Sequence, residues 1–512
     1  MIVSRSTMLT AFLRPFSVSP VVNLYSNDVS EENRGWNFAR AMPVRQYWSQ
    51  RSAGFGRNRF VDSTERRNFL MSPDGQAVGR ISLTPEGSGM GRIVITTYGT
   101  LGDLYPYLAL ARGLKARGHD VVIATANRYR EKVERHGIGF HPIRPDAPDL
   151  DGDHSVMRSV MDSRSGTEHL IQNMLMPFLR DSYDDLTAAV QGADLLVSHI
   201  LTYAAPLVAE KSGIAWVSTY LQPVCLFSAY DPPILPQARY LSKVRFLGPT
   251  FHKFVFWLAK KSCAGLARPW HRLRAELGLP RTSANPLFEG SQSQSLILAM
   301  FSSEFAQKQS DWPANLIVSG FPFFDTDDQS GLSPELTQFL NEGPPPIVFT
   351  LGSSGVLNAG SFYECSAAAA EKLGQRAILI VGKEPGNRPK SLPKSVIACE
   401  YVPFAQLFPR ASLIVHIGGV GTTALAMQSG IPMLIMPQAH DQFDNAARVT
   451  RLGIGRKLLR KRYTPENLVQ ELQILLNDER YARNAARIGE TVRREHGVST
   501  ACDALEKLLP AS

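Results

Sequence analysis

The sequence predicts an α/β protein made of two doubly wound, Rossmann-like parallel-sheet domains that face one another across a central cleft. Three observations carry this. From Arg92 onward, short apolar runs alternate with amphipathic stretches closed by glycine. The same alternation restarts at Ile347. Between the two, FPFFDTDDQSGLSPELTQFLNEGPPP (321–346) turns to Pro, Gly and acids. Strands alternating with helices build parallel sheets whose ligands sit at the strand carboxyl ends, and a Pro- and Gly-rich break reads as an interdomain linker. The expected organisation is an extension at 1–90, a first domain at 91–325, a linker at 326–345, a second domain at 346–490 and a helical tail at 491–512.

In the first domain RIVITT is a strand, YGTLGD a turn, and LYPYLALARGLKARG a helix with Pro106 in its first turn and Gly118 at its end. VVIATA, DLLVSHI and AWVSTY follow as strands, with helices stopping at Gly137 and Gly213. The stretch 222–278 breaks the rhythm with aromatic and basic residues and is expected to form irregular helices over the cleft. The second series runs IVFTLGSS, AILIVGKE, SVIACEYV, SLIVHIGG and IPMLIMP.

A chain of 512 residues with 44% hydrophobic and 20% charged residues is ordinary for a soluble enzyme. The five cysteines are scattered and form no CxxC pair, which points to a reducing, cytoplasmic compartment and away from disulfides or zinc. Of the net charge of +9, residues 1–91 hold +4, with 11 Arg and no Lys, and the rest only +5. That mild excess suits anionic nucleotides or a membrane surface and carries no nucleic-acid signature. The first 90 residues lack periodicity and read as a disordered extension or a start assigned too early, with a basic, acid-free leader (MIVSRSTMLTAFLRPFSVSP) as the alternative. No run approaches the ~20 apolar residues of a membrane span.

Chemistry concentrates at VHIGGVGTTALAMQSGIPML (415–434), a glycine-rich turn between a strand and a helix. Gly418, Gly419 and Gly421 let an anion approach the backbone, and the amides of Gly421, Thr422 and Thr423 point from a helix N-terminus that carries about half a positive charge. GVGTTA also satisfies the dinucleotide fingerprint GxGxxG/A, with Asp441 about 20 residues on. Against that reading, the turn follows several strands instead of opening its domain, a histidine precedes it, and the next strand ends in PQAHDQFDNA.

The stretch VHIGGVGTTALAMQSGIPMLIMPQAHDQFDNAARVTRLGIG, with YVPFAQLFPRASLIV upstream, resembles the donor motif of family-1 glycosyltransferases of the GT-B fold. It is most similar to the bacterial branch that glycosylates lipids, sterols and macrocyclic antibiotics, rhamnosyltransferases included. The resemblance covers about residues 91–505. It implies an inverting transfer of a hexose from a UDP- or dTDP-linked donor to a hydroxyl of an apolar small molecule or lipid. By position, His416 would bind the donor diphosphate, with Gly421 and Thr422 offering amides and a hydroxyl and Ser353 or Ser354 reaching it from the facing loop. Tyr401 would stack on the pyrimidine, Val402 would supply backbone contacts, and Asp441 with Gln442 would hold the sugar hydroxyls. Many bacterial relatives carry two successive histidines where this chain has His416 and Ile417. The plant-type ribose glutamate is here Ala424, which leaves the nucleoside open. An epimerase or hydrolase of the same architecture, and a nucleotide-sugar-binding protein without turnover, are the alternatives.

In the first turn, TTYGTLGDLYPYLALA, Asp103 stands where the resemblance implies a catalytic base, with Thr100 beside it. As the residue just before a helix, Asp103 also fits a capping role. His199, at the end of DLLVSHI, falls near the partner of the base and equally fits a core position. No cofactor and no metal are expected. The DxD-like triplets Asp151–Asp153 and Asp325–Asp327 lie in polar linkers, and a helix N-terminus with His416 would serve the leaving diphosphate. The aromatics and lysines of YLQPVCLFSAYDPP and FHKFVFWLAKKSC suggest an apolar acceptor, or a face resting on anionic lipid at the inner side of a membrane.

Overall fold

In the computed structural model, which describes residues 90–146, 154–324 and 331–510, the chain forms two parallel sheets. The first comprises β1 (Arg92–Thr96), β2 (Asp120–Thr125), β3 (Gly139–Pro142), β4 (Leu195–His199), β5 (Ala215–Tyr220), β6 (Leu296–Ala299) and β7 (Leu316–Val318), in the order 3-2-1-4-5-6-7. The second comprises β8 (Ile347–Thr350), β9 (Ala377–Ile380), β10 (Val396–Cys399), β11 (Leu413–His416), β12 (Met433–Ile435) and β13 (Gly455–Lys457), in the order 10-9-8-11-12-13. Each sheet reverses its winding once, between β1 and β4 and between β8 and β11. Ile93 pairs with both Val121 and Leu195, and Val415 with both Phe349 and Leu434. Such a switch point opens a crevice at the carboxyl edge. The β-branched runs account for this, because helices cover both faces and Ile93, Val94 and Ile95 are all fully buried.

Five helices bear on the site. They are α1 (Leu101–Ala116), α2 (Gly248–Ser262), α3 (Val420–Ser429), α4 (Gln442–Arg451) and α5 (Gly497–Glu506). α3 leaves the carboxyl end of β11 and stops at Gly430, whose φ of 73° is the left-handed cap the sequence announces. α5 returns to the first domain and packs on α1. A Cβ placed on Gly113 would stand 2.5 Å from Val498 Cγ1, and Arg117 reaches Asp503 and Glu506 at 2.6 and 2.7 Å.

Two boundaries differ from those read in the sequence. The linker contains a helix, Pro334–Asn341, because Ser333 caps it and Leu336 and Leu340 find core partners. The helix Glu479–Arg494 runs unbroken through position 490, so the tail begins at the turn before α5. The extension up to residue 89 and both DxD-like triplets lie outside the described residues.

The first domain also reaches across the cleft in two places. Met161 joins the core of the second domain with Phe349 and Phe362, and Thr167 Oγ1 lies 3.0 Å from His440 Nδ1. Asp231 meets Arg448 of α4 at 2.6 Å, while Arg448 also holds Asp444 at 2.6 Å. Asp444 Oδ1 in turn accepts the Ile234 amide at 3.0 Å.

Because α5 buries Ala501, Cys502 and Leu505 on α1, ending the chain after Glu495 is expected to cost several kcal/mol. The check is the thermal midpoint. A midpoint unchanged by the truncation would contradict this packing.

A candidate donor and acceptor site at the facing sheet edges

The two crevices open into one cavity of about 490 Å³. It is walled by the loops after β1, β4, β8, β11 and β12, and by segments around 160–174 and 222–266.

The loop after β1 holds Asp103 by a local device. Asp103 Oδ2 accepts the Thr100 amide at 2.8 Å and the Thr100 hydroxyl at 3.1 Å. This is the reciprocal half of a capping box at the start of α1. Gly99, at φ 140°, is required here, since a Cβ on it would lie 2.2 Å from Asp103 Oδ2. Oδ1 makes no hydrogen bond among the described residues, and Asp103 and Thr100 both line the cavity. Capping by Oδ2 therefore leaves Oδ1 of the same carboxylate uncommitted among the described residues.

His199 ends β4 fully inside the protein and also lines the cavity. Its Nδ1–H donates to the Tyr98 carbonyl at 3.2 Å, which leaves Nε2 a bare acceptor without a partner among the described residues. Burial pulls its pKa down, only partly offset by the nearby Asp103 charge. The ring is thus neutral at ordinary pH.

On the second sheet, Gly419, Gly421 and Thr422 line the cavity, and a Cβ on either glycine would meet open space. Ser353 and Ser354, after β8, face them. Asp441 and Gln442 complete this side at the start of α4. Gln442 Oε1 accepts the amides of Gln438 and Ala439 at 2.8 and 3.0 Å, which shapes the turn and leaves Nε2 as its free donor. Asp441 Oδ2 accepts from Asn445 Nδ2 at 2.7 Å, and the same amide holds the Gly418 carbonyl at 2.8 Å. Burial lifts the Asp441 carboxyl to about 7; its Asn445 bond opposes the rise and the Asp103 charge adds to it. The Asp103 charge in the first domain therefore acts on Asp441 of the second across the cavity.

Five residues named from the sequence lie elsewhere. His416 is fully buried and outside the cavity. Side chains alternate along β11, so Leu413, Val415 and Ile417 share one packed cluster while His416 falls on the side of Ile414. Its Nδ1 accepts the Gly418 amide at 3.1 Å, and burial drives its pKa to about 3. A neutral, enclosed ring brings no charge to a diphosphate, so the position expected for His416 in the cavity is held by Ile417. Gly418, at φ 90°, serves the turn itself. Thr423 is buried with its hydroxyl on the Gly419 carbonyl at 2.9 Å. Val402 belongs to the core. Tyr401, 57% exposed after the edge strand β10, stands three strand spacings, about 14 Å, from β11 and outside the cavity wall.

The sequence reading did not single out His440 or Thr167. His440 lines the cavity between Gln438 and Asp441 with a positive φ of 50°, rare for a residue with a side chain. A histidine directly before the Asp–Gln pair was the available signal. Nothing in the sequence announced that the 154–178 segment would cross to meet it.

Residues 93–227 match the family model of the glycosyltransferase family 28 N-terminal domain, and residues 367–499 that of the erythromycin biosynthesis protein CIII-like C-terminal domain. The O-mycaminosyltylonolide 6-deoxyallosyltransferase of Streptomyces fradiae is 30% identical over 420 residues, 80% of this chain and 96% of that protein. The chain belongs to the family-1 glycosyltransferases of the GT-B fold. Sterol 3-beta-glucosyltransferase of Candida albicans is 28% identical over 425 residues, and there this glycosyltransferase spans 27% of the relative's length. Among solved structures, the glycosyltransferase of kitacinnamycin shares the fold with a TM-score of 0.62 at 22% identity, covering 83% of this chain and all of that one. The glycosyltransferase VinC, in complex with dTDP, gives 0.58 at 21%, covering 81% and 99%.

Two outcomes are expected of this glycosyltransferase. His416→Ala should lower the thermal midpoint and leave the Kd for nucleoside diphosphate within about twofold, whereas Ile417→His should tighten it by about fivefold or more through one added hydrogen-bond donor. Calorimetric titration with UDP and dTDP checks both, and a large loss of affinity in His416→Ala would return that residue to the site. The second outcome concerns pH. The folded protein keeps the Asp441 proton that an unfolded chain releases near its ordinary 3.8. Stability is therefore lost as pH rises from there to about 7 and stays low above. Asp441→Asn should recover on the order of 4 kcal/mol at pH 8 and nothing near pH 4. Denaturant unfolding at the two pH values reads the difference.

Proposed function

We propose that this glycosyltransferase moves a hexose from a UDP- or dTDP-linked donor to a hydroxyl of an apolar small molecule or lipid, inverting the anomeric centre without a metal ion. The observation that supports this most is the pairing of Asp103 and Asp441 from opposite domains across one cavity. The donor lies along the second domain. The N-terminus of α3 offers the amides of Gly421 and Thr422 and the Thr422 hydroxyl to the diphosphate, and Ser353 and Ser354 meet it from β8. A helix N-terminus and fixed hydroxyls stabilise the charge that grows on the leaving diphosphate as the glycosidic bond breaks. Asp441 and the Gln442 Nε2 hold sugar hydroxyls. The acceptor enters between the first-domain loops and the 222–266 segment. Asp103 Oδ1 takes its proton as the hydroxyl attacks the face opposite the departing diphosphate, a contribution of ~10²–10⁴-fold.

The acceptor class follows the relatives named for a macrolide and for sterols, together with the apolar wall supplied by Leu235, Phe227 and Leu266. We place the reaction in a reducing, cytoplasmic setting at or near a membrane face. Among the described residues no helix is long and apolar enough to cross one.

The bare Nε2 of His199 favours a second arrangement, in which His199 takes the proton and Asp103 steadies it. Steady-state transfer with Asp103→Asn and His199→Gln separates the two. With Asp103 as base, Asp103→Asn is expected to keep donor Kd within about twofold and to lose at least ~100-fold in kcat, and His199→Gln to lose under about tenfold. Reversal of the two losses would assign the proton to His199, and full turnover in both variants would remove the pair from the mechanism.

A further inference from the structure

The 232–275 segment holds nine Lys and Arg residues and not one Asp or Glu, a positive excess equal to that of the whole chain. Several of these charges are spoken for: Arg245 meets Asp231, Lys260 meets Glu289, and Arg274 meets Glu210. Lys243, Lys253 and Lys261 have no ion pair among the described residues. The same stretch concentrates exposed apolar surface. Phe246 is 81% exposed, Phe254 55% and Trp257 53%, with Leu247 beside them. Such bulk rarely stays in water without a purpose.

α2 sorts these groups by helical spacing. His252, Val255 and Ala259 face inward and are buried, while Lys253, Phe254, Trp257 and Lys261 share the outward face. The rings of Phe254 and Trp257 stack at 5.9 Å, and the Lys261 ammonium lies 6.0 Å from the Trp257 centroid. The inward side carries Ala259 and Ser262 to the cavity wall. One helix, about 10 Å thick, therefore separates the cavity from a face of aromatic rings framed by lysines.

We propose that this face, formed by Phe246, Leu247 and the outward side of α2, docks on an anionic lipid bilayer. Aromatic rings settle at the depth of the headgroups while unpaired lysines meet lipid phosphates, each lysine adding about fivefold in partition. A protein partner fits less well, because lysine is depleted from the buried part of protein interfaces. Docking in this orientation sets the acceptor wall of the cavity directly over the bilayer, so an apolar alcohol passes from lipid to site without crossing water. Only that last consequence rests on the transferase reading.

Flotation of the full chain with phosphatidylcholine vesicles, with and without phosphatidylglycerol, tests the docking. Binding is expected to the mixed vesicles, weakened by salt and weak on phosphatidylcholine alone. Lys253→Glu with Lys261→Glu should reduce it at least tenfold, as should Phe246→Ser with Phe254→Ser and Trp257→Ser. Both variants should keep the wild-type thermal midpoint and dTDP affinity. Failure to bind anionic vesicles at low salt would overturn the proposal, as would equal binding to both vesicle types. A lipid-free dimer in sedimentation that is lost in the aromatic variant would instead assign the face to a second copy. Release of nucleoside diphosphate with a water-soluble acceptor reads the transferase chemistry separately, so either reading fails alone.

Discussion

The ion triad Asp231–Arg448–Asp444 holds the two halves of the site in one geometry. Arg448 is 2% exposed and Asp444 fully buried, and each charge is met at 2.6 Å. Burial works against the Arg448 charge, and its two carboxylates more than restore it. Buried pairs of this kind add little net stability, yet removing one partner strands a charge at a cost of about 3–5 kcal/mol. The value of the triad is therefore positional. Asp231 belongs to the segment that walls the acceptor side, and Arg448 belongs to the helix whose first turn carries Asp441 and Gln442. Arg451 of the same helix also meets Asp231 at 3.2 Å, and the Ile234 amide meets Asp444, so several bonds tie the two sides together.

That rigidity matters to the proposed donor site, which would rely on fixed dipoles at the turn. The side chain that faces the cavity from the glycine turn is Ile417, and the histidine beside it is neutral and sealed behind the strand. In the proposed function, the work of meeting a diphosphate falls to the amides at the start of α3 and to the hydroxyls around them. Dipoles of this kind act only where they already point. The Asn445 amide, which holds both the Gly418 carbonyl and Asp441, ties the turn to that carboxylate.

The cavity also concentrates local conformations that cost stability. Phe227 and His440, both in its wall, adopt positive φ of 46° and 50° with full side chains, and Asp441 is held with its carboxyl lifted to about 7. None of these would be selected by a chain optimising its fold alone, and their gathering at one place is what a binding site looks like energetically.

The sequence by itself determined the two wound sheets, the cleft between them, the glycine turn and the carboxylates Asp103 and Asp441. The sheets, cleft and turn are written in local patterns, apolar runs of strand length and glycine stops, while the two carboxylates followed from the likeness of the motifs around them to a known family. It did not determine on which side of β11 the histidine would fall, because a turn reads the same whichever of two neighbouring residues faces the ligand. The alternation of side chains and the packing of Ile417 with Val415 decided that. It did not reveal that Thr167 would meet His440 or that Asp231 would meet Arg448, since both pairs join residues more than two hundred positions apart. It showed the aromatics and lysines of 239–261 as one mixed string. Only the helix, by turning about 100° at each residue, separated the side that lines the cavity from the side that faces out.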